Sequence, residues 1–245
     1  MKFALIGYGK MGKAIEEVIL DQNKGDEIVL RIGEDNLYEL TAANLQKADV
    51  AIEFTRPDAA IDNIYLCFEA GIPVVVGTTA WLERLDEVKK ECEDQKGGLF
   101  YAPNFSIGVN IFFEINRKLA AIMDGQPQYD VAIEEIHHTE KLDAPSGTAL
   151  RAAEVIMDHL TRKSKWVLGN PFLSPTDPAS SLLITAKREP YVPGTHVVTY
   201  SSSVDEIQVI HQAKTRRGFA EGAVMAARWM AGRKGVYEMK DLLSF

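Results

Sequence analysis

Strand-like and helix-like segments alternate five times in about the first 100 residues, and this rhythm constrains the fold more than anything else in the chain. Residues 3–6 form an apolar run that ends at Gly7. Met11, Ile15, Val18 and Ile19 then recur at helical spacing. Residues 28–32 read as a second strand, 40–45 as a weakly patterned helix, and 50–54 as a third strand stopped by Thr55-Arg56-Pro57. Pro57 suits the first position of a helix, and Asp58 suits its first turn. That helix runs to Ala70, and Gly71 ends it. Val74-Val75-Val76 is apolar throughout, as expected of a parallel strand covered on both faces. A helix over 81–92 and a strand over 99–101 complete the set, so the spacing predicts a doubly wound parallel α/β sheet.

The pattern changes after Pro103. Residues 107–123 read as a long helix, and residues 129–136 alternate as a one-sided strand. Residues 148–160 form another amphipathic helix. Strands are expected over 182–187, 196–202 and 206–213, too close together for intervening helices, which points to an antiparallel or mixed sheet. Residues 166–181, with Pro171, Pro175 and Pro178, read as a loop, and 219–230 as an Ala-rich last helix. Residues 236–245 are apolar enough to dock. A cut near residue 105 therefore divides a Rossmann-type unit from an α+β unit. A chain of 245 residues with 46% apolar side chains can build both.

Composition removes several functions. With 27 Lys and Arg against 35 Asp and Glu, the net charge is −8, which argues against broad nucleic-acid or anionic-membrane binding. Cys67 and Cys92 make neither a disulfide framework nor a metal motif. No run of 18 apolar residues exists, and a strand beginning at once leaves no room for a signal peptide, so the cytoplasm is the expected location. Trp81, Trp166 and Trp229 read as packing anchors.

Gly7-Tyr8-Gly9-Lys10-Met11-Gly12 lies between a strand and a helix, where a dinucleotide fingerprint belongs. Gly7 permits the turn, Gly9 lets a pyrophosphate approach the backbone, and Gly12 lets helix and strand pack closely. Gly33 stands where a ribose-binding carboxylate is expected, and Glu34 comes one residue later. Arg31 and Lys10 are available to a 2′-phosphate, so the reading is use of NADH, NADPH or both. Gly77-Thr78-Thr79 and Ala102-Pro103-Asn104-Phe105 follow the fourth and fifth strands, at the edge where such sheets bind ligands.

Residues 134–148 hold the richest chemistry. His137, His138 and Lys141 sit where a strand ends, and Ser146, Gly147 and Thr148 open a helix. A lysine cation, a proton-donating imidazole and helix-terminal amides together suit a dianionic substrate. Adjacent histidines on a strand point to opposite faces. They lack zinc-pair spacing, and with no compelling third ligand no metal is expected. His196 and His211 read as structural or interfacial, and Arg216 as a lining residue.

The glycine turn, Gly77-Thr78-Thr79, Ala102-Pro103-Asn104-Phe105-Ser106 and the block from Glu135 through His137-His138, Lys141 and Asp143-Ala144-Pro145-Ser146-Gly147-Thr148 resemble, in order, the motifs of the 4-hydroxy-tetrahydrodipicolinate reductase (dihydrodipicolinate reductase) family. Thr215-Arg216-Arg217-Gly218-Phe219-Ala220 resembles its late motif, so the similarity spans nearly the whole chain. The resemblance implies a nucleotide domain of residues 1–107 and 216–245, and an inserted substrate and oligomerisation domain of 108–215. It implies a homotetramer, an NADH or NADPH cofactor, and a small dicarboxylate substrate of the diaminopimelate and lysine pathway. It further implies that His138 and Lys141 bind and protonate the substrate, that Gly147 and Thr148 hold a carboxylate, and that His137 lies close by. Residues 77–79 and 102–105 would contact the nicotinamide side. The chain departs from the family pattern at Thr139-Glu140, where basic residues are common, at Gly33, and at Glu53 in place of aspartate. An aspartate or homoserine type dehydrogenase shares the architecture but lacks the His-His-x-x-Lys block. A nucleotide sensor would keep the glycine turn without the proton donor.

Overall fold

The computed structural model describes residues 1–22, 24–169 and 177–245. They form two compact units, Met1–Ile107 with Arg217–Phe245, and Gly108–Arg216.

The first unit is built on a six-stranded parallel sheet. Its strands are β1 (Lys2–Ile6), β2 (Glu27–Ile32), β3 (Val50–Glu53), β4 (Val74–Val76), β5 (Gly98–Tyr101) and β11 (Gly235–Tyr237), in the order β11-β5-β4-β3-β1-β2. The chain runs from β1 outward to β2 and then returns to the other side of β1, so the strand order reverses where β1 ends at Gly7. Strand alternation splits the core. Ala4, Ile6, Val74 and Val76 face α3 (Pro57–Glu69) and α4 (Leu85–Asp94). Phe3, Leu5, Ile52 and Val75 face α1 (Lys10–Asp21) and α7 (Arg217–Met230). Four buried alanines of α7, Ala220, Ala223, Ala226 and Ala227, bring that helix close to the sheet. Gly222 brings it closer still, since an added Cβ would come 1.8 Å from the Phe105 carbonyl oxygen.

The helix expected over 81–92 divides into a 3-10 turn (Leu82–Arg84) and α4, because the Trp81 indole donates to the Thr78 carbonyl at 2.8 Å and anchors the entry. The weak pattern at 40–45 shortens to the single turn α2 (Ala42–Leu45) capped by Thr41, and a 3-10 segment (Glu34–Glu39) precedes it. The apolar tail forms β11 and α8 (Met239–Leu243).

The second unit carries a mixed five-stranded sheet of β6 (Asp130–His137), β7 (Lys165–Leu168), β8 (Ser181–Arg188), β9 (Thr195–Ser201) and β10 (Glu206–Gln212), in the order β10-β9-β6-β8-β7. β10, β9 and β6 pair antiparallel, while β8 runs parallel to β6 and β7. Val131, Ile133, Leu182, Ile184, Val198 and Tyr200 line one face against α5 (Ile107–Asp124) and α6 (Gly147–Met157). β7 corrects the loop expected over 166–181. Its residues are largely exposed and show no periodicity, and Trp166, 40% exposed, is no packing anchor. Pro171 and Pro175 of that loop lie outside the described residues. Among the described residues no helix is long and apolar enough to cross a membrane.

Gly222→Ala forces a Cβ against backbone that cannot yield. It is expected to destabilise the protein by about 1–3 kcal/mol, read as a lower denaturant midpoint with an unchanged slope.

Candidate active site

The glycine turn separates the needs of the protein from those of a ligand. Gly7 has φ +96, and an added Cβ would lie 2.0 Å from the Phe54 carbonyl oxygen. At Gly12 the Cβ would lie 2.4 Å from the Gly7 carbonyl oxygen. The fold's own packing therefore demands both. At Gly9 an added Cβ would meet nothing within 4 Å, so the space beside it belongs to no protein group. Gly9 also precedes α1 without a side-chain cap, which leaves the amides of Lys10, Met11 and Gly12 with no acceptor one turn earlier. Open backbone and free amides at a helix N-terminus fit the pyrophosphate of a dinucleotide.

At the ribose end the Tyr8 hydroxyl bonds to Glu16, and Glu16 takes two hydrogen bonds from Arg31, at 3.0 and 2.6 Å. The Arg31 guanidinium holds the Glu16 carboxyl below the usual range. Arg31 is thus engaged by Glu16 rather than free. Gly33 donates its amide to Asn36 Oδ1 at 2.7 Å, and the nearest atom to an added Cβ is 3.8 Å away. Glu34 is exposed in the following 3-10 segment.

At the ends of β4 and β5, packing employs several residues read as cofactor contacts. Any side chain at Gly77 would come 2.1 Å from the Phe54 ring. The Thr78 hydroxyl accepts the Thr55 amide at 2.7 Å, whereas Thr79 is exposed. Glu53 is buried, accepts the same Thr55 amide at 3.1 Å, and has its carboxyl pushed up by burial. The Phe105 ring, 2% exposed, packs against Phe54 and Phe100 in the core, and its carbonyl lies against Gly222 of α7. Ala102 is buried, Pro103 is exposed, and Asn104 Oδ1 accepts the Ser106 amide at 2.9 Å.

In the second unit, strand register assembles a polar cluster at one end of an apolar face. Glu135 and His137 are the last inward positions of β6. β9 sets His196 opposite Glu135, and β8 sets Arg188 beside His137. Glu135 Oε2 accepts the Ser146 amide at 3.0 Å and lies 3.5 Å from His137 Nδ1 and 3.8 Å from His196 Nε2. Ser146 is buried, caps α6 through the Ala149 amide, and meets His196 Nε2 at 3.1 Å. The first amides of α6, those of Gly147 and Thr148, have no acceptor one turn earlier in the helix.

His138 faces away from this cluster. Arg216 donates to its Nε2 at 3.2 Å, so the neutral ring carries its proton on Nδ1, a buried atom with no partner among the described residues. The Lys141 amide turns back to the His138 carbonyl at 3.1 Å. Lys141 Nζ pairs with both oxygens of Asp143, at 2.8 and 2.7 Å, which lowers the Asp143 carboxyl.

Burial pushes the His137 imidazole down against the pull of Glu135, and Lys141 and Arg188 push it the same way. His196 is pushed down to about 3, first by burial and then by its neighbours His137 and His211. These rings are therefore neutral near pH 7, and their approaches to Glu135 are not ion pairs. Glu135, His137 and His196 bring potential ligand atoms within 4.8 Å of one another, a grouping that leaves out His138.

Glu135, Arg188 and His196 are the site residues that sequence reasoning left without a role. Glu135 lay inside the recognised block, and its inward position on an alternating strand was the available signal. His196 and Arg188 come from strands about 50 residues away, and only register brings them in.

A Rossmann unit with an open pyrophosphate cradle, joined to a mixed-sheet unit bearing imidazoles, a lysine and free helix amides, defines a dinucleotide-dependent oxidoreductase of two units. Family models agree over nearly the whole length: the one for dihydrodipicolinate reductase, N-terminus, matches residues 1–105, and the one for the C-terminus matches 108–243. The 4-hydroxy-tetrahydrodipicolinate reductase of Christiangramia forsetii is 46% identical over 244 residues, covering 100% of this chain and 98% of its own. That of Neisseria meningitidis serogroup A is 36% identical over 81% of this chain and 74% of its own. The dipicolinate-bound dihydrodipicolinate reductase of Paenisporosarcina has the same fold, with a TM-score of 0.79, 24% identity and 98% coverage of both chains. The chain belongs to the dihydrodipicolinate reductase family.

Replacing Gly9 by Ala puts a methyl group into space that the protein leaves open. Thermal stability is expected to stay unchanged while the Kd for NADH and NADPH rises, measured by titration of the apoprotein.

His196 sets a pH dependence of stability. Its folded pKa lies below the ordinary 6.5, so between about 3 and 6.5 the unfolded chain binds a proton that the folded chain refuses. Stability is therefore lost as pH falls below 6.5, by about 1.4 kcal/mol per pH unit from this residue. Urea unfolding across that range is expected to show a shallower slope for His196→Asn than for the parent.

Proposed function

We propose that this chain catalyses the NAD(P)H-dependent reduction of 4-hydroxy-tetrahydrodipicolinate, by way of dihydrodipicolinate, to tetrahydrodipicolinate in diaminopimelate and lysine biosynthesis. The observation that carries this reading is the segment 137–148. It offers two imidazoles, a lysine and the free amides of α6 at one end of a single sheet. Family membership over the whole chain supports the same reaction.

On this reading Met1–Ile107 with Arg217–Phe245 binds the dinucleotide, and Gly108–Arg216 binds the substrate. The Gly7–Gly12 turn and the α1 N-terminus would hold NADH or NADPH, which when bound would supply the hydride that reduces the conjugated imine remaining after water is lost. The chain's own residues supply the rest. The amides of Gly147 and Thr148, with the Thr148 hydroxyl, receive one carboxylate. Lys141 exchanges Asp143 for the other, so Asp143 keeps the ammonium placed until substrate arrives. Ser146 serves by capping α6, since its hydroxyl is already engaged. Electron density gathers at the imine nitrogen, and one proton completes the balance. His137, His138 and Lys141 are the candidate donors of that proton.

The reading extends to a cytoplasmic homotetramer. Cys67 and Cys92 are free, buried thiols, as suits a reducing compartment. Ile136, Leu183 and Val197 stand half-buried on the outer face of the second sheet, and Ile210 there is 58% exposed, which supports assembly through that face. The −8 net charge supports a small-molecule partner rather than nucleic acid.

Purified protein supplied with substrate by the upstream synthase is expected to oxidise NADH or NADPH, followed by nicotinamide absorbance. The ratio of kcat/KM for the two cofactors measures what Gly33 permits. Lys141→Ala is expected to lower kcat/KM by roughly a hundredfold or more while leaving cofactor affinity within about twofold. No oxidation by folded protein that still binds dinucleotide would sink the catalytic reading.

A further inference from the structure

Glu135 lies at the centre of the substrate unit's polar cluster. It is fully buried, 0% exposed, between the apolar Val131 and Ile133 and the last inward residue, His137, on one face of β6. A carboxylate in such a place is costly unless the fold uses it, and a leucine there would pack against Ile133 and Val198 without that cost. Its two oxygens divide the surroundings. Oε2 accepts the Ser146 amide at 3.0 Å, at the start of α6, and lies 3.5 Å from His137 Nδ1, close enough to attract a proton there but without a formed hydrogen bond. Oε1 lies 3.5 Å from Arg188 Nη1. Arg188 in turn donates from Nε to the Lys141 carbonyl at 3.1 Å and from Nη2 to the Asp143 carbonyl at 2.7 Å. Every segment assigned to the substrate is therefore one or two contacts from this carboxylate.

We propose that Glu135 is the positioning residue of the substrate site. Through the Ser146 amide it sets the α6 terminus, through Arg188 it sets the Lys141–Asp143 turn, and by its negative charge 3.5 Å from Nδ1 it favours the Nδ1–H tautomer of His137. The inference rests on the reading of the preceding subsection. Glu135 itself touches no ligand. The nearby carboxylate favours the neutral ring's proton on Nδ1, which leaves Nε2 of His137 as the nitrogen for other work. Gly194 keeps that nitrogen uncrowded, since an added Cβ there would lie 3.1 Å from Nε2. The arrangement couples two geometries that the reaction needs together, the carboxylate grip and the proton donor, to one buried group.

The test is Glu135→Gln in the full-length protein. Three readouts are taken: the Kd for dipicolinate (pyridine-2,6-dicarboxylate), the steady-state constants, and the 15N shifts of the His137 ring. The expected result is a dipicolinate Kd and substrate KM raised roughly ten- to hundredfold, an NADH Kd within about twofold of the parent, and loss of the Nδ1–H tautomer signature of His137. A merely structural role would leave that ring's tautomer where it was. Arg188→Gln cuts the arm to the Lys141 and Asp143 carbonyls. It is expected to raise KM while His137 keeps its Nδ1–H tautomer, and it keeps the test informative if Glu135→Gln fails to fold. Parental KM, dipicolinate Kd and His137 shifts in folded Glu135→Gln, or a parental KM in Arg188→Gln, would overturn the proposal. Failure of the parent protein itself to bind dipicolinate would instead overturn the functional reading beneath it.

Discussion

The β6–β9 register is the constraint on which the substrate unit depends. Pairing Ile133 with Val198 brings apolar side chains to the helix-covered face, and the same register then delivers Glu135 opposite His196. A slip of one residue along β6 would turn Glu135 and His137 outward and send Ile136 in. Packing thus specifies chemistry here. The apolar residues that fix the register are not the residues that use it, yet each chemical contact at the sheet's end inherits its alignment from them. α6 joins the same frame because its first residue before the helix, Ser146, is bound by Glu135 through its amide and by His196 through its hydroxyl.

In the nucleotide unit the corresponding constraint is steric. Gly7, Gly12, Gly77 and Gly222 all sit where a Cβ would collide with backbone or with the Phe54 ring. Gly9 alone of the fingerprint glycines faces open space. A fold can require glycine for its own sake, and Gly7 and Gly12 answer that requirement. Within the fingerprint, the ligand's need is recorded by Gly9, which packing does not explain.

Most of the parallel sheet was legible because its signals are local. Continuous apolar runs, a glycine turn, and Pro57 with Asp58 opening α3 each mark an element from within a few residues. β7 escaped because Lys165–Leu168 is mostly exposed, and β11 because three half-buried residues carry no period. The site divides the same way. His137, His138, Lys141 and residues 146–148 form one continuous block that sequence can read. His196 and Arg188 reach the cluster through pairings that no local pattern encodes. Thr78 and Phe105 illustrate the opposite difficulty. Each stands at the sheet edge where a ligand residue is expected, but the Thr78 hydroxyl holds the Thr55 amide and the Phe105 ring fills the core.

The nucleotide unit is assembled from two stretches of chain separated by the whole of the other unit. α7 supplies Ala220, Ala223, Val224 and Met230 to one face of its sheet, and β11 pairs with β5 at the edge. During synthesis, then, α1 can cover its share of that face early, but the share that α7 covers stays open until residues 217–230 have been made. The inserted unit has its full set of strands and helices before that moment. The sheet begun first is thus completed after the unit that interrupts it, and the face of Phe3, Leu5, Ile52 and Val75 waits through translation for its second helix.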